Sequence, residues 1–289
     1  MKKLILLLFI PLVFACSDEH NDLNSADFNL KGKVKSVHTT HYSTVEKFGE
    51  VIKGQVIDDT MHFKYYFKKD GNYFKQELYL GTMLVGVDKL EFNNLEIPIQ
   101  RNSYDSDGKL LSVRKIESND KGKPSEVLGY SDDGELKSKS LYQYDDKGRL
   151  TVKQAFLLDA EGSWVKTSEI KKKYDRNGFL IEESYYILAT LLAGTLTSTY
   201  NNINVCKYKI NDKGFSSEAD CIKLYYQEGA PDEGYNNDRR ERWSELYEYE
   251  YDDKGNWIKR ITKSADKAGE GNFNQPASIM SIKKIEYYD

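Results

Sequence analysis

A recurring turn constrains the fold of this chain more than any other feature of its sequence. Each copy has an aromatic or aliphatic residue, then Asp, Asn or Ser, then two variable residues and Gly; Lys68 and Ser118 are the departures. The polar side chain bonds the backbone two residues on, and Gly takes the left-handed conformation that closes a type I turn with a G1 bulge. The copies therefore predict β-hairpins. They end at Gly71, Gly108, Gly122, Gly134, Gly148, Gly162, Gly178, Gly214 and Gly255.

The residues beside each turn predict how the two strands of a hairpin pair. In such a turn, the residue before Asp faces the second residue after Gly, so that Tyr251 pairs with Trp257. Both positions are apolar in most copies, which gives each hairpin an apolar face next to its turn. Continued without interruption, this register places Glu248 opposite Arg260 on the other face.

The spacing of the turns predicts the topology. Successive glycines from Gly108 to Gly178 lie 14, 12, 14, 14 and 16 residues apart, which leaves about ten residues for one strand between two turns. The chain then reverses at every repeat, as in an antiparallel meander. Residues 28–99 have fewer turn motifs but still alternate, so we assign them to the same sheet. Because open twisted sheets rarely exceed about ten strands, we expect an all-β fold that is a curled sheet, an open barrel or a spiral.

Three segments interrupt the repeat pattern. Residues 184–200 are apolar and are compatible with a strand or a short helix. Residues 227–241 are polar, and residues 265–277 are rich in Gly and Asn, so both are expected to form loops.

The first 15 residues have the features of a signal peptide. Lys2 and Lys3 precede an apolar run from Leu4 to Phe14, which is too short to span a bilayer but has the length of a signal-peptide core. The end of this run, Val-Phe-Ala-Cys16, resembles a lipobox. That resemblance implies cleavage before Cys16 and attachment of acyl chains, palmitate among them, at this residue. An ordinary signal peptide, with Cys16 incidental, is the alternative.

The residues after Cys16 divide the mature chain into a tether and a body. Residues 16–27 are acidic and offer little to bury, so they predict a flexible tether. Residues 28–289 form the single repetitive β domain. Stable anchoring by the lipid on Cys16 would place the protein at the outer membrane, on its periplasmic or cell-surface face. The bilayer, through Cys16, is the one membrane contact that we expect.

Two stretches resemble the YD repeats of Rhs-like proteins. They run from Tyr142 to Leu150 (Tyr-Gln-Tyr-Asp-Asp-Lys-Gly-Arg-Leu) and from Tyr247 to Trp257 (Tyr-Glu-Tyr-Glu-Tyr-Asp-Asp-Lys-Gly-Asn-Trp). The opening of the body, residues 30–37, is similar to the start of uncharacterised bacterial lipoproteins that carry such repeats. The resemblance implies β-hairpin units that form a curved shell or spiral, and it implies no toxin activity.

Charge and cysteine content narrow the choice of partners. The formal net charge of −4 becomes −6 when Lys2 and Lys3 leave with the signal peptide, and residues 239–242 are the only basic run, so we expect no nucleic-acid partner. Cys206 and Cys221 are expected to form a disulfide in an oxidising compartment. Ideal pairing across the turn places Cys206 opposite Asp220, so the bond requires a one-residue bulge.

Residues with catalytic or ligand-binding chemistry do not form a recognisable motif. His38 and His41 point to opposite faces of a strand, the Asp side chains are explained by the turns, and we expect no metal, no cofactor and no catalytic residue. Trp164 and Trp257 occupy the apolar repeat position and are expected to pack there. Trp243 and the nearby Arg240 are the candidate binding residues.

These observations favour a membrane-anchored surface lipoprotein that is a non-enzymatic binding or structural module. One alternative is a glycan-binding accessory lipoprotein, suggested by the 22 tyrosines and by Trp243. A second alternative is a hydrolase with an unrecognised site. The expected partners are the lipid bilayer, through the acylated Cys16, and a surface glycan or protein.

Overall fold

The computed structural model describes residues 29–187, 190–192, 195–197, 201–226, 240–266 and 278–289. The predicted signal peptide, the tether and Cys16 lie outside these residues, as do parts of the three interrupting segments. In the described part, no helix has the length and apolar character needed to cross a membrane. The strands are β1 Val34–Lys47, β2 Glu50–Val56, β3 Met61–Phe67, β4 Tyr73–Leu80, β5 Met83–Phe92, β6 Pro98–Asp105, β7 Leu110–Ser118, β8 Pro124–Ser131, β9 Leu136–Tyr144, β10 Leu150–Leu158, β11 Trp164–Tyr174, β12 Leu180–Ile187, β13 Thr190–Leu192, β14 Thr195–Thr197, β15 Asn201–Ile210, β16 Ser216–Tyr226, β17 Arg240–Tyr251, β18 Trp257–Asp266 and β19 Ser278–Tyr287.

The strands form an antiparallel meander that closes on itself. From β3 to β19, each strand of the wall pairs with the next one along the chain, and β1 completes the ring. On one side of β1, Val37 pairs with Ile285 of β19, and on the other side it pairs with Tyr65 of β3. The result is a 16-strand barrel, which confirms the predicted all-β meander. β2 pairs only with β1, and β13 pairs with β14 outside the wall.

The turns have the geometry that the sequence predicts. In the copy at 145–149, the Gly148 N–H donates to the Asp145 carbonyl at 2.8 Å. Asp145 Oδ1 accepts the N–H groups of Lys147 and Arg149 at 3.0 and 2.9 Å. The turn at 93–97 has the same geometry but lacks the sequence motif, because Glu96, with φ 57°, occupies the position of Gly.

A bulge beside most of the turns corrects the predicted register. Tyr251 pairs with Trp257 as expected, but Glu250 then pairs with Lys259, so that Ile258 has no partner residue. The expected pairing of Glu248 with Arg260 is therefore wrong. Glu248 faces Ile261, whereas Arg260 faces Tyr249 on the inner surface of the barrel.

The same bulge brings the two cysteines together. Lys209 pairs with Glu218, which leaves Ser217 unpaired. The shift places Cys206 opposite Cys221, rather than opposite Asp220 as in the ideal register, and the two residues are joined by a disulfide.

The turns and chain ends define the two rims of the barrel. The terminal rim has both described chain ends, where the Tyr288 N–H donates to the Lys33 carbonyl at 2.8 Å. Its turns are 68–72, 93–97, 119–123, 145–149, 175–179, 211–215 and 252–256. The distal rim is the opposite one, and its described turns include 105–109, 131–135 and 159–163. By chain order, the three interrupting segments connect strands at the distal rim.

The bulges determine which face each apolar pair occupies. An extra residue at one end of a strand reverses the alternation of its side chains, so that the pair beside a terminal-rim turn faces inward and the pair beside a distal-rim turn faces outward. Tyr144 and Leu150 line the interior. Trp164 faces outward, where Lys139 Nζ lies 4.7 Å from the centroid of its ring. Trp164 and Trp257 thus share a repeat position but lie on opposite faces.

The interior is only partly filled by a hydrophobic core. Buried side chains from the N-terminal segment and from β1, β3, β4 and β5 form this core against β19. They are Leu30, Val34, Val37, Tyr65, Phe67, Tyr73 and Leu90. The remaining wall encloses an open space, which is the candidate functional site.

Candidate functional site

The space inside the barrel, here called the lumen, has a volume of about 2110 Å³. Its lining extends from terminal-rim glycines such as Gly148 and Gly178 to Trp243 and Ser264, near the distal ends of β17 and β18. Sites for drug-sized ligands usually measure about 300–1,000 Å³. The lumen is therefore large enough for an extended ligand.

A row of aromatic rings crosses the lumen wall along β17. Because alternate residues of a strand face the same side, Trp243, Tyr247, Tyr249 and Tyr251 all point inward. The ring centroids of Tyr247 and Tyr249 are 6.5 Å apart, and those of Tyr249 and Tyr251 are 5.8 Å apart. Trp257 of β18 lies beside this row, 6.3 Å from Tyr249. These five residues are called the aromatic ladder below.

Hydrogen bonds hold the ladder in place. Glu245 accepts the Trp243 Nε1–H at 3.1 Å and also accepts the Tyr247 hydroxyl. The Tyr249 hydroxyl donates to the Ser216 carbonyl at 2.7 Å. Burial raises the pKa of Tyr249 to about 12, so its hydroxyl stays protonated at neutral pH. Fixed rings lose little entropy when a ligand stacks on them.

Basic side chains outnumber acidic ones on the described inner wall. Asp88 pairs with Arg101 at 2.9 Å, and Glu183 pairs with Lys172 at 3.1 Å. The whole chain has a negative net charge, whereas the described inner wall has an excess of positive charge. The basic residues are Arg101, Arg114, Lys153, Lys172, Lys223, Arg260 and Lys283, and the acidic ones are Asp88, Glu183, Glu241 and Glu245.

Arg260 and Lys283 form a basic pair next to the ladder. The guanidinium carbon of Arg260 lies 5.4 Å from the Trp257 ring centroid and 5.6 Å from that of Tyr247. Lys283 Nζ lies 3.6 Å from the Trp257 centroid. No carboxylate in the described part of the chain is within ion-pair distance of either residue, and the buried Nε of Arg260 has no hydrogen-bond partner there. Burial and the charge of Arg260 lower the pKa of Lys283 to about 7, against a weaker opposing effect of Asp252.

His41 and His62 stabilise the wall where β1 changes partners. The His41 backbone N–H donates to His62 Nδ1 at 3.1 Å, so this imidazole replaces a strand carbonyl. His41 lines the lumen, and its Nδ1 lies 2.9 Å from Ser281 Oγ. His38 lies on the outer face against Tyr79. In the described ranges, no three His, Cys, Asp or Glu side chains are grouped as metal ligands.

The structure relocates the residues that the sequence singled out. Trp243 belongs to the inner wall, opposite the bonded Cys221, and not to a surface loop. Arg240 is the first residue of β17, and its side chain lies outside the described part, as does Cys16. Sequence reasoning missed Arg260 and Lys283, because alternation shows which residues share a face but not which face is the interior.

The outer face of the wall is rich in ion pairs. They recur along β11 and β12, β15 and β16, and β17 and β18. Strands that face lipid present an apolar band about 25 Å tall instead. The outer face therefore has the polarity of a surface in contact with water. Examples are Lys171–Glu169 at 2.8 Å, Lys173–Glu182 at 2.6 Å, Lys209–Glu218 at 2.7 Å and Lys259–Glu250 at 2.7 Å.

Comparison with known proteins gives coarse similarities of shape only. No family model matches the sequence, and no curated protein matches it either. The chain is similar to a porin-like protein from Bacteroides uniformis (12% identity, TM-score 0.49, covering 89% of this chain and 98% of that one). It is also similar to a TcdB2-TccC3-TEV structure (9% identity, TM-score 0.24, 83% and 16%) and to a DUF3836 family protein from Parabacteroides distasonis (18% identity, TM-score 0.20, 36% and 87%). At these values the similarities say nothing about the ligand of this chain.

Proposed function

We propose that this protein is a lipid-anchored, non-enzymatic binding module whose ligand site is the lumen. The observation that supports this proposal is a cavity of about 2110 Å³ lined by fixed aromatic rings and basic side chains. Near β1 the interior is filled by the packed side chains of the hydrophobic core, whereas the rest of the lumen is open to a ligand.

The anchor in this proposal is the acylated Cys16. The outer face of the barrel is polar, so the lipid on Cys16 would provide the membrane contact. The tether precedes Lys31, which is bound to Asn256 at the terminal rim. Metabolic labelling with an alkyne palmitate analogue tests the anchor. Labelling that survives in Cys16→Ser, or Cys16→Ser protein that stays in the membrane fraction, contradicts it.

A glycan is the ligand class that the aromatic ladder favours. The apolar faces of sugar rings pack against aromatic rings. The hydroxyl groups of the sugar need polar partners, such as Glu245 and Arg260 beside the aromatic ladder. Intrinsic tryptophan fluorescence of the detergent-solubilised mature protein, titrated with surface oligosaccharides, tests this. We expect Trp257→Phe to weaken binding and Trp164→Phe, on the outer face, to leave it unchanged. Equal effects of the two variants would place the ligand elsewhere.

The hydrolase alternative is tested with the same oligosaccharides. The described luminal carboxylates already have partners. Asp88 and Glu183 are ion-paired, Glu245 accepts two hydrogen bonds from the ladder, and Glu241 lies opposite Lys223 on the neighbouring strand. A non-enzymatic module returns the oligosaccharides intact after prolonged incubation. Shortened products would show that the barrel is an enzyme.

A further inference from the structure

We infer that the luminal ligand is an acidic glycan, whose carboxylate or sulfate groups bind Arg260 and Lys283 while its sugar rings stack on the aromatic ladder. This inference rests on the proposed function and specifies the ligand of the same site.

The first step is the position of the two cations relative to the rings. The Arg260 guanidinium lies between the rungs formed by Tyr247 and Trp257, at 5.6 and 5.4 Å from their ring centroids. Lys283 Nζ lies over Trp257 at 3.6 Å. Because Lys283 covers one face of Trp257, a sugar would stack on the other face, with its acidic substituent beside Arg260 on the lumen wall and reaching Lys283 past the edge of the ring. A neutral glycan would use the ladder and leave the cations without a role.

The second step is the charge of the side chains around Trp257. Arg260 and Lys283 both lie against the Trp257 ring, with no carboxylate in the described chain at ion-pair distance from either. The Arg260 Nε–H has no acceptor among the described residues. Charges placed together in this way repel each other, and the repulsion is relieved by an anion that accepts hydrogen bonds from both. Burial and the charge of Arg260 lower the pKa of Lys283, and a bound anion would favour its charged form.

The third step is the contrast between the two faces of the wall. On the outer face, lysines are matched by glutamates on the neighbouring strand, as in Lys263–Glu248 at 2.5 Å and Lys259–Glu250 at 2.7 Å. Arg260 lies between Lys259 and Lys263 on the same strand but points inward, where no carboxylate matches it. The unmatched charge is thus confined to the face that encloses the cavity.

Single-stranded nucleic acid is the other class of polymer that aromatic rings and cations bind. The predicted signal peptide favours the glycan, because an exported protein would meet surface polysaccharides rather than cytosolic nucleic acid. The experiment below therefore includes an oligothymidylate as an alternative ligand, similar in length to the glycans tested.

Isothermal titration of the detergent-solubilised mature protein tests the inference with four probes. They are an oligogalacturonate, its methyl ester of equal length, a sulfated oligosaccharide and oligothymidylate. We expect at least one of the two acidic glycans to bind about tenfold more tightly than the methyl ester. If no glycan binds, the proposed function fails as well. If the methyl ester binds as well as the acidic glycans, only the inference fails, and the proposed function stands. Tighter binding of oligothymidylate overturns the inference and the choice of a glycan as the ligand class.

Variants of the basic pair locate the anion within the lumen. We expect Arg260→Gln to lose most of the preference for acidic over neutral ligand, and Arg260→Lys to keep part of it. Lys283→Gln provides a second test if Arg260→Gln does not fold. Lys263→Gln is the matched control, because it removes a cation from the outer face of the same strand. Unchanged preference in both Arg260→Gln and Lys283→Gln, or an equal loss in Lys263→Gln, overturns the inference.

Discussion

At the scale of single residues, the side chain of His62 accepts a backbone hydrogen bond that a neighbouring strand would otherwise accept. It is fully buried, and its Nδ1 accepts the His41 N–H at the point where β1 leaves β3. His62→Leu keeps the volume but leaves that N–H without an acceptor, which costs about 1–3 kcal/mol. We expect the loss to appear as a lower urea midpoint. His38→Leu, on the outer face, should stay within about 0.5 kcal/mol of the wild type. Similar losses in the two variants would contradict the assigned role of His62.

His41 makes the stability of the barrel depend on pH. Burial lowers the pKa of His41 from 6.5 to about 4, and the nearby charges of His62 and Arg260 add to this effect. The unfolded chain then binds more protons than the folded one between these values, so stability falls as the pH drops from about 6.5 to 4. Thermal melts of wild type and His41→Asn check this: the variant should lose less stability over that interval. Parallel curves would show that other groups control the acid transition.

The residue scale also shows where sequence reasoning stopped. Asp145 and the other turn residues could be assigned, because a local hydrogen-bond pattern requires them. Trp243 was noticed for its residue type alone, and Arg260 was placed on the wrong face, since the bulge at Ile258 changes the register. Lys283 has no local signal at all. Its contact with Trp257 forms only when β19 pairs with β18.

At the scale of elements, the turns of the terminal rim interlock. The residue after Gly in one turn lies against the Gly of the next, as with Arg149 and Gly178, where Arg149 Nη1 also donates to the Asp175 carbonyl at 3.2 Å. On the distal rim, the space around Gly108, Gly134 and Gly162 is open. The same sequence motif thus makes an isolated hairpin at one rim and part of a ring of contacts at the other.

A comparison of two glycines distinguishes the effect of this contact between turns from the effect of backbone strain. Gly214 and Gly134 have φ of 87° and 86°, so Ala is strained equally at both. A Cβ at Gly214 would lie 2.6 Å from Phe179 Cε1, whereas Gly134 has nothing within 4 Å. We expect Gly214→Ala to lower the free energy of unfolding by about 1 kcal/mol more than Gly134→Ala. Equal losses in guanidinium unfolding would mean that the turns of the terminal rim do not support each other.

At the scale of the whole molecule, closure is the property that the sequence could not specify. Most hairpins have a local signal, and the spacing of the turns predicts the length of the strands between them. The seam between β1 and β19 joins residues about 250 positions apart, as in the hydrogen bond from Ser36 to Glu286 at 2.8 Å. Such pairs leave no periodic pattern in one sequence, so curl, barrel and spiral remained open.

Asn256 connects the seam to the terminal rim. This buried side chain accepts the Lys31 N–H at 2.7 Å and donates to the Lys31 carbonyl at 2.9 Å and to the Tyr287 hydroxyl at 2.7 Å. Because a closed barrel has no edge strands, losing the seam would expose unpaired backbone along both β1 and β19. The three bonds therefore hold together the chain ends of the whole wall.

Replacement of Asn256 tests whether the seam controls the stability of the barrel. Asn256→Ala leaves the Lys31 backbone groups without partners, which should cost about 2–3 kcal/mol. Hydrogen exchange should show the loss first in β1 and β19, because strands on the far side, such as β8 and β9, keep all their neighbours. Asn177→Ala, an exposed residue on the same rim, should leave protection unchanged. Uniform loss of protection around the ring would instead mean that the barrel opens as one cooperative unit, and that its seam is as strong as any other strand pair.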